Sequence, residues 1–244
     1  MAKKRTTVSL IRHGQASFGQ KNYDQLSPLG MQQLEHVGAH LAQREEQIDV
    51  ILRGNLARHE QSVDALLRGY GSSAGSSPDV VEVPEWNEFD HRAVMHAYAQ
   101  DHAELRAWLA NPKPIDTGSR AETQQVMQIF REAVVRWQSG QHDADYAESW
   151  PQFLARVDQA WQTTQESIAM HQNVLVLTSG GPISLSVMAS LQLPAESLIS
   201  LNKRLVNGGF TRFLVASEQS SRELLSLNEQ QHFGGKFQHL LTYI

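Results

Sequence analysis

The chain has 244 residues, 41% of them hydrophobic and 19% charged, a balance that excludes a disordered segment and is large enough for a substantial core. A net charge of -5, with "KKR" at residues 3 to 5 as its one basic cluster, argues against a nucleic-acid backbone as partner. The absence of cysteine removes disulfides, thiolate catalysis and zinc–thiolate sites, and no apolar run approaches the length of a membrane helix or a signal peptide, so a cytoplasmic location and no membrane partner are expected.

In chain order, "TVSLI" (7 to 11) reads as a compact β-branched strand that ends on Arg12, His13 and Gly14. "SPLGMQQLEHVGAHLAQ" (27 to 43) opens with Ser27 and Pro28, a favourable helix start, and repeats Leu34, Val37 and Leu41 at helical spacing. "IDVILRG" (48 to 54) is a second buried strand, followed by a helix through "LARHEQSVDALLRGY". "GSSAGSSP" (71 to 78) reads as a surface loop and "DVVEVPEW" as a third short strand.

Residues 93 to 139, in the stretch 93 to 149, have helical periodicity with few strand candidates, interrupted by "NPKPIDTGS". They are expected to form a helical insertion, a cap over the site, within one domain spanning residues 1 to 244. "WPQFLARVDQAWQTTQESIAMH" (150 to 171) is a long amphipathic helix, "NVLVLTSGG" returns to strand and turn, and "PISLSVMASLQL" is a helix. "GGFTRFLVAS" and "RELLSLNE" read as two final strands. Buried strands joined through helices give an α/β fold, a three-layer α/β/α arrangement around a mostly parallel sheet.

In such a sheet, ligands collect beyond the carboxyl ends of the strands. Arg12 and His13 follow the first strand, Arg58 the second, Glu88 the third, and Ser179 with Gly180 and Gly181 the strand after the long helix. Arginine forks grip phosphate oxygens, and a glycine turn opening a helix presents backbone N–H groups to an anion. A neutral histidine is a nucleophile, nearby guanidinium charge should keep it neutral, and a carboxylic acid protonates a leaving alkoxide. Together these parts describe phosphoryl transfer without a metal.

The same residues carry a family resemblance. "LIRHG", "LSPLG" (26 to 30), "GNLARHEQSV" (54 to 63, against the pattern S-x-x-x-R-A-x-Q-T-A), "WNEFD" and "SLNEQQHF" occur in the order found in the histidine phosphatase superfamily, the phosphoglycerate mutase-like fold. The chain resembles it from about Ser9 to His232, with 91 to 149 unmatched in detail. The resemblance implies that His13 forms a phosphohistidine, that Arg12 and Arg58 hold the non-bridging oxygens, and that Glu88 donates a proton and then activates water. No cofactor is implied, and the partner is a small phosphorylated substrate.

One departure affects the site. The family reads V-x-H-G-G where this chain reads "TSGGPI", so Ser179 stands at the second-histidine position. A serine hydroxyl donates one hydrogen bond and carries no charge, and losing a charge-assisted donor of this kind typically costs on the order of 10²–10³ in rate. A slower phosphatase or a phosphate-binding relic follows. Serine itself is not read as a nucleophile, because no base is legible beside it. His91 is the candidate for restoring the contact, although His59 and His91 otherwise read as structural or surface residues. His96, His102, His142 and His171 have no legible ligand partners, and the five tryptophans read as packing residues. Neither a mutase pattern nor a common phosphatase pattern continues past Glu88, so hydrolysis is favoured over mutase chemistry and the substrate is not named.

Overall fold

The computed structural model describes residues 5–17, 24–71, 77–110, 120–216 and 222–243. Six strands form one sheet in the order β3-β2-β4-β1-β5-β6. They are β1 (Arg5–Arg12), β2 (Val50–Arg53), β3 (Asp79–Glu82), β4 (Asn173–Thr178), β5 (Phe210–Ala216) and β6 (Arg222–Glu229). β3, β2, β4 and β1 run parallel to one another, whereas β5 is antiparallel to β1 and β6 antiparallel to β5. The helices are α1 (Pro28–Gln43), α2 (Ala57–Tyr70), α3 (His91–Ala99), α4 (Ala103–Ala110), α5 (Arg120–Gln138), α6 (Trp150–Met170), α7 (Gly180–Leu191) and α8 (Ser197–Asn202).

Alternation along the strands splits the core between two faces. Ile11, Ile51, Leu175, Leu177 and Phe210 point to one face and pack with Leu34, Val37 and Leu41 of α1 and Val63 and Leu66 of α2. On the other face, Phe213 meets Trp161 of α6 edge-on at 5.3 Å between ring centroids. Trp161 also donates to Ser186 Oγ of α7 at 2.9 Å, and Trp86 donates to Thr164 Oγ1 at 3.2 Å. Both of these buried indoles thus find an acceptor for their N–H, as burial of that group requires.

The expected third strand is shorter than its sequence pattern. β3 stops at Glu82, and Pro84–Trp86 form a 3-10 turn. Proline has no N–H for a ladder, and all four residues of β3 are exposed at the sheet edge. Helix α8 was not anticipated; its six residues are too few to display a period. The stretch 111–119 and most of the 71 to 78 loop lie outside the described residues.

The chain divides into two compact units, one of Met1–Glu88 with Arg156–Ile244 and one of Phe89–Ala155. The second is helical and its core is aromatic: Trp137 packs on Phe89 at 4.9 Å and on Trp150 at 5.1 Å. Among the described residues no helix is long and apolar enough to cross a membrane.

Two 3-10 turns, Gln231–Phe233 and Gly235–Leu240, return the chain end to α1. His36 Nε2 donates to the His232 carbonyl at 2.6 Å, and His232 Nε2 donates to the Gly208 carbonyl at 3.1 Å. Burial first, then the neighbouring His40 and His36 and more weakly Arg212, pull the His232 pKa from 6.5 down to about 4, against the opposing hydrogen bond to Gly208. The unfolded chain takes up that proton near the ordinary value, so the stability present above it is lost as pH falls toward the folded value, about 2 kcal/mol of it by pH 5. Urea denaturation of the wild type should therefore show a lower stability at pH 5 than at pH 7. His232→Gln, which keeps an N–H donor and cannot titrate, should lose less over that interval; parallel pH dependences would rule out His232 as a source of acid sensitivity.

Candidate active site

The register of the parallel strands aligns their carboxyl ends. Arg12 pairs with Thr178, Leu177 with Arg53, and Arg53 with Glu82. Beyond the end of β1 the pairing continues for one bond, His13 N–H to Thr178 O at 2.9 Å, so His13 and Ser179 leave the sheet beside each other. A surface cleft of about 570 Å³ lies at the opposite, amino ends of the strands, lined by Asp49, Asp79 and Asn173; it is remote from these residues.

His13 is buried, with Nδ1 2.7 Å from the Gly14 carbonyl. A carbonyl only accepts, so Nδ1 carries the proton and Nε2 keeps its lone pair. Burial is the largest cause holding the His13 pKa well below the ordinary value, followed by the charges of Arg58, Arg12 and then His59. The sequence reading gave the guanidinium groups that role; the structure ranks them after desolvation. Asn207 Nδ2 donates to the His13 carbonyl at 3.0 Å, and Ser62 Oγ accepts from Gly14 N at 3.2 Å.

The two motif glycines explain each other. A methyl on Gly14 would come within 2.4 Å of the Gly30 carbonyl, and one on Gly30 within 2.2 Å of the Gln15 carbonyl. The loop after β1 therefore lies directly on the first turn of α1. Ser27 caps that helix, accepting from Gly30 N at 3.0 Å, and donates to Gln15 Oε1 at 2.9 Å.

Arg12 and Arg58 are both buried. Arg12 Nη1 donates to the Leu205 carbonyl at 2.5 Å and also to the Tyr243 carbonyl, which fixes the plane of its guanidinium. Arg58 sits in the first turn of α2, and its Nη1 pairs with Asp24 Oδ1 at 2.7 Å. The other Asp24 oxygen accepts from Ala57 N at 2.9 Å, so one carboxylate both orients the arginine and covers the helix start. Asp24 was missed in the sequence because nothing local marks a residue that pairs 34 positions away.

Glu88, and not its neighbours Glu85 or Asp90, reaches the α7 turn. Gly181 N–H lies 3.1 and 3.0 Å from its two carboxylate oxygens. The amide observed in use at this helix start is thus that of Gly181, while Gly180 is packed so closely that a methyl there would lie 2.0 Å from Asn202 Oδ1. Arg156 Nη1 holds the turn before Glu88 through the carbonyls of Glu85 and Asn87, at 3.0 and 2.7 Å. Asp90 instead caps α3.

Ser179 occupies the N-cap position of α7 without capping it. Its Oγ lies 2.8 Å from His59 Nε2, and both residues are fully buried. The sequence reading left no base beside Ser179 and placed His59 among structural or surface residues; the histidine that meets Ser179 is His59. The legible signal was the position after Arg58, alanine in the family pattern and histidine here. His91 is the first residue of α3, in the Phe89–Ala155 unit. Among the described residues no group of three His, Asp or Glu side chains is disposed to hold a metal ion.

The family model of the histidine phosphatase superfamily (branch 1) matches residues 8–128 and 115–229. The chain belongs to that superfamily. No curated protein matches it in sequence. Among solved structures, it is similar to a phosphoglycerate mutase from Bacillus anthracis (13% identity, 94% of this chain and 96% of that one, TM-score 0.60). A phosphoserine phosphatase from Entamoeba histolytica solved with phosphoserine is similar at 17% identity (93% and 98% covered, TM-score 0.59). The alpha-ribazole phosphatase of Shigella flexneri is similar at 20% identity (91% and 96% covered, TM-score 0.55). At these identities the likeness establishes the shared fold.

Burial and the two guanidinium groups make a direct prediction for His13. Long-range ¹H–¹⁵N spectra should show its imidazole neutral and protonated on Nδ1 at about pH 6, below the ordinary histidine value of about 6.5. Titration with a midpoint at or above the ordinary value would contradict the burial and charge described here.

Proposed function

We propose that the protein is a phosphomonoesterase that works through a phosphohistidine on His13 and needs no metal or other cofactor. The observation that carries this reading is a buried, neutral imidazole whose Nδ1 proton is tied to the Gly14 carbonyl, beside two buried arginines. His13 Nε2 attacks phosphorus as the P–O bond to the leaving alcohol breaks. Arg12 and Arg58 hold the non-bridging oxygens and take up the charge that spreads over them, with the Gly180 N–H at the α7 start as a further donor. Glu88 gives its proton to the departing alkoxide. As a carboxylate it then takes one from water, whose oxygen bonds to phosphorus as the P–N bond breaks, releasing inorganic phosphate and restoring His13.

The substrate is a small phosphorylated molecule used in the cytoplasm. Support comes from the family and from similar structures, among them a phosphatase solved with phosphoserine. Hydrolysis is favoured over transfer to a second acceptor, because the basic residues identified at the site are those that grip the transferring group itself.

Steady-state hydrolysis of p-nitrophenyl phosphate without added metal tests the reading. His13→Ala should lower kcat by more than about 10³-fold, as loss of a covalent nucleophile does, and acid-labile, alkali-stable label from a ³²P-monoester should appear on the wild type alone. Glu88→Gln should depress hydrolysis of an alkyl phosphate far more than that of p-nitrophenyl phosphate, whose leaving group needs no proton. Turnover that survives His13→Ala would overturn the phosphohistidine route. Inorganic phosphate bound without any turnover would leave a phosphate-binding protein.

A further inference from the structure

His59 has no part in the mechanism above, yet it is fully buried and its ring centroid lies 5.7 Å from that of His13, the two rings tilted by 42°. Its Nε2 is held by Ser179 Oγ at 2.8 Å, while Nδ1 is buried with no hydrogen-bond partner. The backbone of Gly54 closes off that side: a methyl there would fall 2.3 Å from Nδ1. The ring is therefore confined by Gly54, fixed by one hydrogen bond, and set against the ring of His13.

Burial bears on what Ser179 can do. Ser179 Oγ is fully buried and already engaged with the His59 imidazole, which gives it a role beside the phosphate contact expected of it. Ser179 stands where a serine ordinarily caps its helix, and that cap is supplied by the Glu88 carboxylate on Gly181 N–H. The hydroxyl is thereby left for His59. Burial first, and then the charges of Arg58 and Arg53, hold the His59 pKa well below the ordinary value.

Resting on the reading of His13 as the phosphoryl acceptor, we propose that His59 and Ser179 form a buried brace that positions the His13 ring, Ser179 fixing His59 and His59 packing against His13. His59 is thus a positioning residue that acts through His13. Two of the places where the chain departs from the family patterns, histidine after Arg58 and serine at 179, are the two ends of one hydrogen bond. His59 thus brings an imidazole to this place from α2, and Ser179, at the start of α7, supplies the hydroxyl that holds it.

The test is a set of variants: His59→Ala, Ser179→Ala, both together, Ser179→His, and His59→Ala with Ser179→His. Each is checked for folding by circular dichroism, then read for kcat, KM and the NMR titration of His13. A ring displaced by about 1 Å costs on the order of 10²-fold, so each alanine variant should lower kcat by about 10- to 100-fold with KM within about threefold. The double alanine variant should be no worse than the poorer single one, because both remove the same contact. Ser179→His alone should also lose activity, since two imidazoles compete for the site. Adding His59→Ala to it should recover kcat to within about tenfold of wild type. The His13 midpoint should rise in the alanine variants and fall again in the exchanged pair.

Independent, additive losses, a His59→Ala enzyme with wild-type kcat and His13 titration, or Ser179→His exceeding the wild type would overturn the brace. A wild type that never phosphorylates His13 would overturn the hydrolytic reading instead, and the His13 titration would still decide the brace. Should His59→Ala not fold, Ser179→Ala and the exchanged pair carry the same comparison.

Discussion

The site depends on the parallel pairing of β1 with β4. Because Arg12 lies opposite Thr178 and the bond from His13 N–H to Thr178 O extends the ladder past the last strand residue, two chain segments leave the sheet at the same level. Parallel neighbours cannot be joined by a hairpin, so each strand must be followed by a turn into a helix, and the polar residues of those turns collect on one rim. β2 in register with β4 brings the start of α2, with Arg58 and His59, to that rim. A slip of one residue between β1 and β4 would send every buried aliphatic side chain to the other face. The position of His13 is therefore protected by the hydrophobic core itself.

Helix ends supply the second layer of organisation. The starts of α2 and α7 would each leave backbone N–H groups without intrahelical acceptors. In both cases a carboxylate from elsewhere in the chain covers them: Asp24 accepts from Ala57, and Glu88 accepts from Gly181. Each of these carboxylates is tied to a functional element, Asp24 to Arg58 directly and Glu88 through its proposed proton transfer. Capping from a distance has a consequence for Ser179, whose hydroxyl is released from the usual local bond and meets His59. The same arrangement thus couples helix stability to side-chain placement around His13.

Much of this was legible in the sequence, and the reasons differ by element. The aliphatic strands and the α1 stripe of Leu34, Val37 and Leu41 announce themselves because burial imposes a period. Arg12, His13 and Arg58 were legible because their motifs are local, fixed by glycines that the structure explains through the contact of Gly14 with Gly30. Asp24 was not, since its partner is distant and the intervening spacing carries no pattern. For His59 the sequence leaves structural and surface roles open, because a histidine on a mostly polar stretch of helix gives no sign of burial until the facing strand end is known; the structure buries it. The end of β3 was missed where Pro84 should have warned against extending the strand.

The chain's last residues extend the argument from the site to the whole fold. Tyr243 and Leu205 offer their carbonyls to Arg12 Nη1, while Gln33 Nε2 binds the Leu240 carbonyl and Thr242 Oγ1 at 2.7 and 2.8 Å. Thr242 in turn donates to Asn207 Oδ1 at 2.9 Å, and Asn207 Nδ2 supports the His13 carbonyl. The same Gln33 accepts from Gln15 N at 2.8 Å, so the loop after β1, the first helix and the C-terminal segment share one polar network. Buried networks of this kind are costly when half-satisfied and rigid when complete. In the role proposed for Arg12, presenting a fork to a phosphoryl group, such rigidity is a gain, because the guanidinium need not be ordered at the moment of binding. The residue that opens the site is in this way held by the residues that close the chain.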